Sequence, residues 1–461
     1  MSFRTLHRKI GDFWWYSLLL FLALRFGDVI NAFAGLWLVP HYVPQEELGA
    51  VPALLQASNL FGFPLLVLVF TFTKYLNRYA TLGEKGKVKA ILHSFWVFSV
   101  IFSLLSTLIA YSILPHFFER LRIVSGSLGI LIVASGILTT LSPIFINALQ
   151  ALKKFNVVTL INLLGAPFRL LVLLVAMPIR ALSGYLLGQA LPALAMISIA
   201  YFSLHRELDR RIETRPFWKE DGRDILKYTG LVAIWMGSGA FCTALEMVVI
   251  RQRLPEVESA GYYMISRLAE IGSFLGMTLS YVMFPLAAEA HTQGKESLKL
   301  LAHMILGTLA TGALCILGFA VAGKWVFSSI PSWSPYTDYV GLLVLLTATL
   351  VLRMVTSNFV NYEIAYNRFS FLWYGVPLLL LQAGILLSFC GYSYFYGILP
   401  DGWVDWMGAC RMARLDRIIQ VWFLFSLIGI LGNGIHIYIR LRRKRGARTG
   451  ELPGEGGREN G

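Results

Sequence analysis

The sequence predicts an all-α membrane protein with about twelve transmembrane helices in two six-helix lobes. Its composition, its recurring apolar runs and an internal repeat lead to this prediction. Of the 461 residues, 56% are hydrophobic and 14% are charged, whereas about 25% of a typical soluble domain is charged. The apolar runs match the roughly 20 residues that a helix needs to cross a bilayer. The composition therefore excludes a soluble enzyme.

The apolar runs, separated by polar or proline-rich breaks, predict twelve membrane spans. Lysine and arginine are concentrated in the segments between the runs and at both ends of the chain. Because basic segments favour the cytoplasm and an even number of spans returns the chain to its starting side, both termini are expected in the cytoplasm. The spans are predicted near 13–38, 50–71, 91–114, 128–150, 156–177, 182–204, 228–250, 260–286, 297–320, 338–361, 370–392 and 418–440.

The chain has a net charge of +14, and its basic residues lie mainly in these short segments between apolar runs. In that position they indicate membrane topology and argue against a nucleic-acid partner. The four cysteines lie in or beside apolar runs, and no pair of them has the spacing of metal ligands. The sequence therefore predicts no metal site, and the cysteines are expected to serve packing.

The chain contains an internal duplication. The segment Pro44 to Gly49 after the first span matches Pro255 to Gly261 after the seventh. The segment Asn147 to Phe155 matches Asn361 to Phe369 at nearly the same offset. Because each repeat holds six spans, both enter the membrane in the same sense, which is the pattern of parallel repeats in transporters.

The duplication also predicts where the domains begin and end. An N-terminal six-helix lobe is expected at 1–205 and a C-terminal six-helix lobe at 228–440. The basic segment 206–227 between them is expected to be a cytoplasmic linker. The glycine-, glutamate- and arginine-rich end of the chain, within 441–461, has the composition of a disordered tail.

Ionisable residues inside the predicted spans are the first candidates for a site, because a charge at bilayer depth costs about 2.5–3.5 kcal/mol and favours a wet cavity. Arg25 and Asp28 lie three residues apart on the first helix, so they share a face and can pair. Arg267 and Glu270 repeat this spacing on the eighth helix. Each pair could equally be a neutralised brace between helices.

Two further arginines, Arg169 and Arg353, have no acidic residue nearby in sequence. Their charge must be compensated by an anionic ligand or by a partner on another helix. The repeat places Gln56 and Asn59 at the positions of Arg267 and Glu270, so this stripe is polar in both lobes. These two amides, together with the nearby Tyr263, are candidate cavity residues.

The matching proline turns and the run Gly-Tyr-Tyr-Met-Ile-Ser-Arg-Leu-Ala-Glu from Gly261 to Glu270 resemble the polysaccharide-transporter branch of the multidrug/oligosaccharidyl-lipid/polysaccharide (MOP) exporter superfamily. The resemblance covers the chain up to about residue 440. It implies a MATE-like fold that alternates between two open states. The implied activity is to flip an undecaprenyl-diphosphate-linked oligosaccharide across the bacterial inner membrane.

The same resemblance implies roles for particular residues. Flippases of this kind use cavity arginines for the diphosphate, and Arg25 and Arg267 match their positions best, followed by Arg169 and Arg353. Coupling to H⁺ or Na⁺ is common in the superfamily, and Asp28 could serve it. No other cofactor is implied. The expected partners are membrane lipid, a polysaccharide polymerase and glycosyltransferases.

Three other classes of function remain open. An ion-coupled drug or cation antiporter of the same superfamily is the nearest alternative, but a cavity rich in arginine argues against cationic substrates. A membrane glycosyltransferase or polymerase would need acidic or histidine residues in a sizeable outer loop, and the sequence shows no recognisable catalytic spacing there. A purely structural membrane protein would gain nothing from arginines inside its spans.

Overall fold

The computed structural model describes residues 12–120, 128–152, 154–208, 213–272, 298–331, 333–366, 368–389 and 415–449. All regular secondary structure in these ranges is helical. Ten of the described helical segments are long and apolar enough to cross a membrane. The predicted all-α, multi-pass fold is confirmed.

Twelve principal helices coincide with the twelve predicted spans. The first, α1, begins as an α-helix and continues through a π-helical turn, Ala34–Leu38, into Val39–Tyr42. The helices are α1 (Asp12–Phe33), α2 (Ala50–Thr81), α3 (Lys85–Arg120), α4 (Leu128–Ala151), α5 (Phe155–Ala176), α6 (Ala181–Glu207), α7 (Trp218–Arg253), α8 (described over 256–272), α9 (Leu298–Ser329), α10 (Val340–Ala365), α11 (Leu372–Phe389) and α12 (Leu415–Thr449).

Several helices extend beyond the predicted spans. The helix α7 begins at Trp218 where the span was predicted from residue 228, and α12 continues to Thr449 beyond residue 440. Hydropathy reports only the part of a helix that lies in lipid. Hydrogen bonding can continue through polar residues, which these extensions contain. The remainder of the predicted tail, 450–461, lies outside the described residues.

The two proline turns have the same local structure in both repeats. The N–H of Leu48 donates to the carbonyl of Pro44 at 2.9 Å, and the N–H of Ser259 donates to the carbonyl of Pro255 at 3.0 Å. Proline suits the start of a helix because its missing N–H is one that the first turn leaves unused. The sequence match therefore corresponds to one repeated structural element.

Small residues allow α2 and α4 to pack closely. A Cβ atom on Gly136 of α4 would collide with the backbone oxygen of Ser58 in α2. The hydroxyl of Ser58 donates to the carbonyl of Ile132 at 2.9 Å and lies 2.6 Å from the hydroxyl of Ser135. Close backbone approach at glycine and serine is the usual way for helices to associate in lipid.

Contacts divide the described residues into two units. The first contains those of Met1–Leu268, Phe327–Tyr339 and Ala383–Leu415. In it, α4 packs against α2 and α6, α5 against α6 and α1, and α7 against α2. The second contains those of Ala269–Val326, Val340–Gln382 and Asp416–Gly461.

The segment before α7 is anchored to the first unit. The side chain of Phe217 is fully buried, with its ring 6.4 Å from that of Phe72. The carboxylate of Asp221 accepts a hydrogen bond from Tyr79 and forms an ion pair with Arg78 at 3.1 Å. The predicted linker 206–227 therefore ends in a docked segment, while the lobe boundaries drawn from the repeat stay a prediction.

The second unit has its own polar contacts between helices. Nδ2 of Asn358 in α10 donates to the hydroxyl of Thr308 in α9 at 3.0 Å. The hydroxyl of Tyr374 in α11 donates to Oδ1 of Asn433 in α12 at 2.6 Å. Such bonds satisfy polar groups that lipid cannot solvate.

Each repeat also has an ion pair linking the region of its fourth helix to its sixth. In the second repeat, Glu363 of α10 pairs with Arg440 of α12. In the first, Lys154, which precedes α5, pairs with Glu207 at the end of α6. The repeat aligns Lys154 with Arg368 and not with Glu363, so the two pairs lie in similar places but at non-equivalent positions.

Candidate functional site

The first candidate pair lies on α1. The guanidinium of Arg25 is 2.9 Å from the carboxylate of Asp28, and these side chains are 22% and 31% exposed. The spacing of three residues on one helical face accounts for the contact. The predicted pairing is confirmed, and it neutralises most of the charge of both groups.

Asp28 also lines a cavity of about 230 Å³ within the first unit. The cavity lies among α1, α4, α5 and α6, and its wall is largely apolar, with small residues such as Gly27 and Gly165 leaving room for it. Its polar lining residues are Asp28, Asn31, Thr139, Ser142, Asn162, Arg169 and Gln189.

Two of the predicted site residues, Asp28 and Arg169, therefore meet at one cavity. The hydroxyls on α4 and the amides Asn162 and Gln189 were not predicted. Each amide is a single polar side chain within an apolar run, and this was the feature of the sequence that could have marked it as a cavity residue. The sequence could not show which of them face the same space, because helix pairing decides this.

The positive charge of Arg169 is stabilised by uncharged side chains. Its Nη1 donates to Oδ1 of Asn31 at 2.8 Å, and the phenol of Tyr185 on α6 lies near the same guanidinium. Its Nε is buried and has no hydrogen-bond partner among the described residues. No carboxylate within the described ranges forms an ion pair with Arg169, so amide and phenol dipoles stabilise this charge.

Arg267 approaches the same region from α8. A Cβ atom on Gly35, in the π-helical turn of α1, would lie 3.6 Å from Cδ of Arg267. The guanidinium lies 5.6 Å from the ring centre of Tyr263, one helical turn earlier. Arg169 bonds to Asn31, and Gly35 follows Asn31 by one turn of α1. Helices α5 and α8 thus bring two arginines to neighbouring turns of α1.

Tyr263 is fully buried and its hydroxyl donates to the carbonyl of Gly35 at 2.8 Å. The other two amide candidates lie on α2, where Nδ2 of Asn59 is 3.5 Å from Oε1 of Gln56. Neither amide lines the cavity at Asp28. The structure therefore joins Tyr263, but not Gln56 or Asn59, to the region of Arg267.

The remaining candidates belong to the second unit. Arg353 of α10 lies over the ring of Trp422 in α12, with its guanidinium carbon 5.4 Å from the ring centre. Glu270 follows Arg267 by one helical turn on α8 and falls in this unit by its contacts. No group of three or more metal-ligating side chains occurs in the described part of the chain.

Comparison with known proteins places this arrangement in a recognised fold. A scan against protein-family models finds no match, and a search of curated proteins finds none. Among solved structures, an inward-facing MATE-family multidrug resistance transporter of the MOP superfamily matches with a TM-score of 0.61 at 14% identity. The alignment covers 90% of this chain and 95% of that one.

Two other structures extend the comparison. A point mutant of the Vibrio cholerae MATE transporter VcmN matches with a TM-score of 0.64 at 13% identity over 93% of this chain and 97% of that one. The lipid II flippase MurJ in an inward closed conformation matches with a TM-score of 0.56 at 13% identity over 91% and 87%. These similarities establish the fold: two six-helix lobes of the MATE type, as the sequence predicted.

Proposed function

We propose that this protein flips an undecaprenyl-diphosphate-linked oligosaccharide across the bacterial inner membrane by alternating access. The observation that supports this most directly is that Arg169 and Arg267 contact neighbouring turns of α1, since Arg169 bonds to Asn31 and Arg267 packs beside Gly35. Two like charges close together inside a membrane protein repel one another. An anion between them would offset that repulsion.

A diphosphate has the chemistry that this arrangement favours. Guanidinium groups present paired donors to phosphate oxygens and are less strongly hydrated than ammonium groups. Arg169 retains a buried Nε–H without a hydrogen-bond partner among the described residues, which leaves a donor for a ligand oxygen. Arg169 and Arg267 are therefore the proposed diphosphate contacts, with Asn31 and Tyr185 supporting Arg169.

The carboxylate of Asp28 suits a different role. It lines the cavity of the first unit and already pairs with Arg25, so it is a candidate for binding the coupling H⁺ or Na⁺. In this proposal Arg25 restrains Asp28 and takes a lesser part in diphosphate binding than Arg169 does. The order expected from the sequence, with Arg25 first among the arginines, is changed accordingly.

The fold comparisons support a transporter but also a second candidate. MurJ is named as a lipid II flippase, which favours a lipid-linked substrate, whereas the MATE neighbours include multidrug resistance transporters. A cation antiporter would use Asp28 and the amides of its cavity for a cationic substrate. The polymerase and glycosyltransferase partners belong to the flippase proposal only.

Reconstitution in proteoliposomes separates the two candidates. We expect the parent protein to move an undecaprenyl-diphosphate-linked oligosaccharide, and Arg169→Gln and Arg267→Gln to lose this activity. Arg180→Gln, at an exposed site between α5 and α6, is the matched control and should transport normally. Asp28-dependent movement of a cationic dye, with no lipid translocation by the parent, would establish the antiporter instead.

A further inference from the structure

The π-helical turn of α1 contains backbone carbonyls that require hydrogen-bond donors from outside the helix. Within Ala34–Leu38 the helix widens, and the N–H of Val39 donates to the carbonyl of Ala34, five residues earlier. Such turns are rare and occur often at functional sites. In this register, the carbonyl of Gly35 would receive its hydrogen bond from residue 40.

Residue 40 is a proline, which has no N–H to donate. The N–H that residue 40 lacks could have served the carbonyl of Gly35 in the π register or that of Leu36, four residues earlier, in the α register. A carbonyl without a donor inside a membrane is costly, because no water replaces the missing bond. The sequence of α1 therefore requires donors from elsewhere.

Two distant side chains supply them. The hydroxyl of Tyr263 on α8 donates to the carbonyl of Gly35 at 2.8 Å. The indole Nε1 of Trp333, just before the short 3₁₀-helix Ser334–Tyr339, donates to the carbonyl of Leu36 at 3.0 Å. Both side chains are buried, at 0% and 5% exposure, and all four residues belong to the first unit.

We propose that Tyr263 and Trp333 are positioning residues for the diphosphate site, an inference that rests on the proposed function. They donate to the two carbonyls that an N–H at residue 40 could have served, and so fix the π-helical turn. The ring of Tyr263 also lies beside the guanidinium of Arg267, which packs against Gly35. The contacts that hold α1 in place thus also hold Arg267 one turn of α1 from Asn31, the partner of Arg169.

The first test measures hydrogen exchange of the peptide 34–43 in the ligand-free protein. Tyr263→Phe and Trp333→Phe each remove one donor and keep an aromatic ring. We expect exchange about fivefold faster or more in each variant, because an ordinary hydrogen bond contributes about that factor to a local opening equilibrium. Tyr262→Phe is the matched control, since its buried hydroxyl donates to the carboxylate of Glu246 at 3.2 Å.

The second test restores the missing donor. Pro40→Ala returns an N–H whose π-register acceptor is the carbonyl of Gly35. In the Tyr263→Phe background we expect Pro40→Ala to return the exchange of 34–43 toward the parent rate. Unchanged exchange in both single donor variants, or a failure of Pro40→Ala to slow exchange in the Tyr263→Phe protein, would overturn the proposal.

The third test concerns Arg267 and uses farnesyl diphosphate as the probe in a titration followed by native mass spectrometry. Tyr263→Phe should weaken its binding about tenfold, the effect of one lost interaction of ordinary strength, and Pro40→Ala should reverse this. Parent-like affinity in a Tyr263→Phe protein whose α1 exchanges faster would overturn the positioning role. If Arg267→Gln binds the probe like the parent, the proposed diphosphate site fails, while the exchange results still decide whether the side chains hold α1.

Discussion

Arginines in the two units are stabilised in different ways. In the second unit, Arg440 has a carboxylate partner in the buried Glu363, and Arg353 lies over the ring of Trp422. In the first unit, Arg169 is held by the amide of Asn31, and Arg267 packs beside Gly35, one turn further along α1. Position within a span therefore does not by itself identify an arginine that binds a ligand. The partners of the arginine are better evidence for such a role.

The largest effect on stability is expected at the buried ion pair of the second unit. Glu363 is 1% exposed, so Glu363→Leu would leave Arg440 without its carboxylate. Loss of one partner of a buried pair costs about 3–5 kcal/mol. Thermal unfolding in detergent measures this loss.

Its counterpart in the first repeat provides the control. Lys154 and Glu207 are both substantially exposed, and Glu207→Leu should cost less than about 1 kcal/mol. Equal losses in the two variants would contradict the contrast between a buried and an exposed pair.

Replacement of Arg169 should affect binding more than stability. Arg169→Gln is expected to weaken farnesyl diphosphate binding about 30-fold, since a charge-assisted contact contributes about 2 kcal/mol. Because it also removes a charge that Arg267 repels, the melting temperature should stay level or rise. A lowered melting temperature with unchanged affinity would make Arg169 a structural brace.

The pair on α1 should have an intermediate effect on stability. Arg25→Gln is expected to cost about 1 kcal/mol, because the pair is partly exposed and such pairs contribute little. The exchanged variant R25D/D28R should recover that loss in thermal unfolding. Failure to recover would indicate that each group has a further partner that the exchange removes.

The smallest effect is expected at Arg353. Arg353→Met keeps an unbranched apolar chain over Trp422 and removes the charge, which contributes about 0.5–1 kcal/mol in such contacts. Probe binding should be unchanged. A tenfold loss of farnesyl diphosphate binding in this variant would show that the second unit also contributes to the anion site.

The helices were predictable because lipid requires long apolar runs, and each of the twelve runs is helical where the structure describes it. The pairing of Arg25 with Asp28 was predictable because three residues bring side chains onto one face. The approach of Arg169 to Arg267 was not, since it depends on how helices nearly a hundred residues apart in the chain pack together. The donors to α1, Tyr263 and Trp333, could not be predicted either, although Pro40 indicated that donors would be needed.

The docking of Phe217 and Asp221 has a consequence for dividing the chain between its repeats. The ring of Phe217 packs against that of Phe72, and Asp221 pairs with Arg78 of α2. An N-terminal fragment that ends before Phe217 would therefore expose an apolar surface that the whole chain keeps buried.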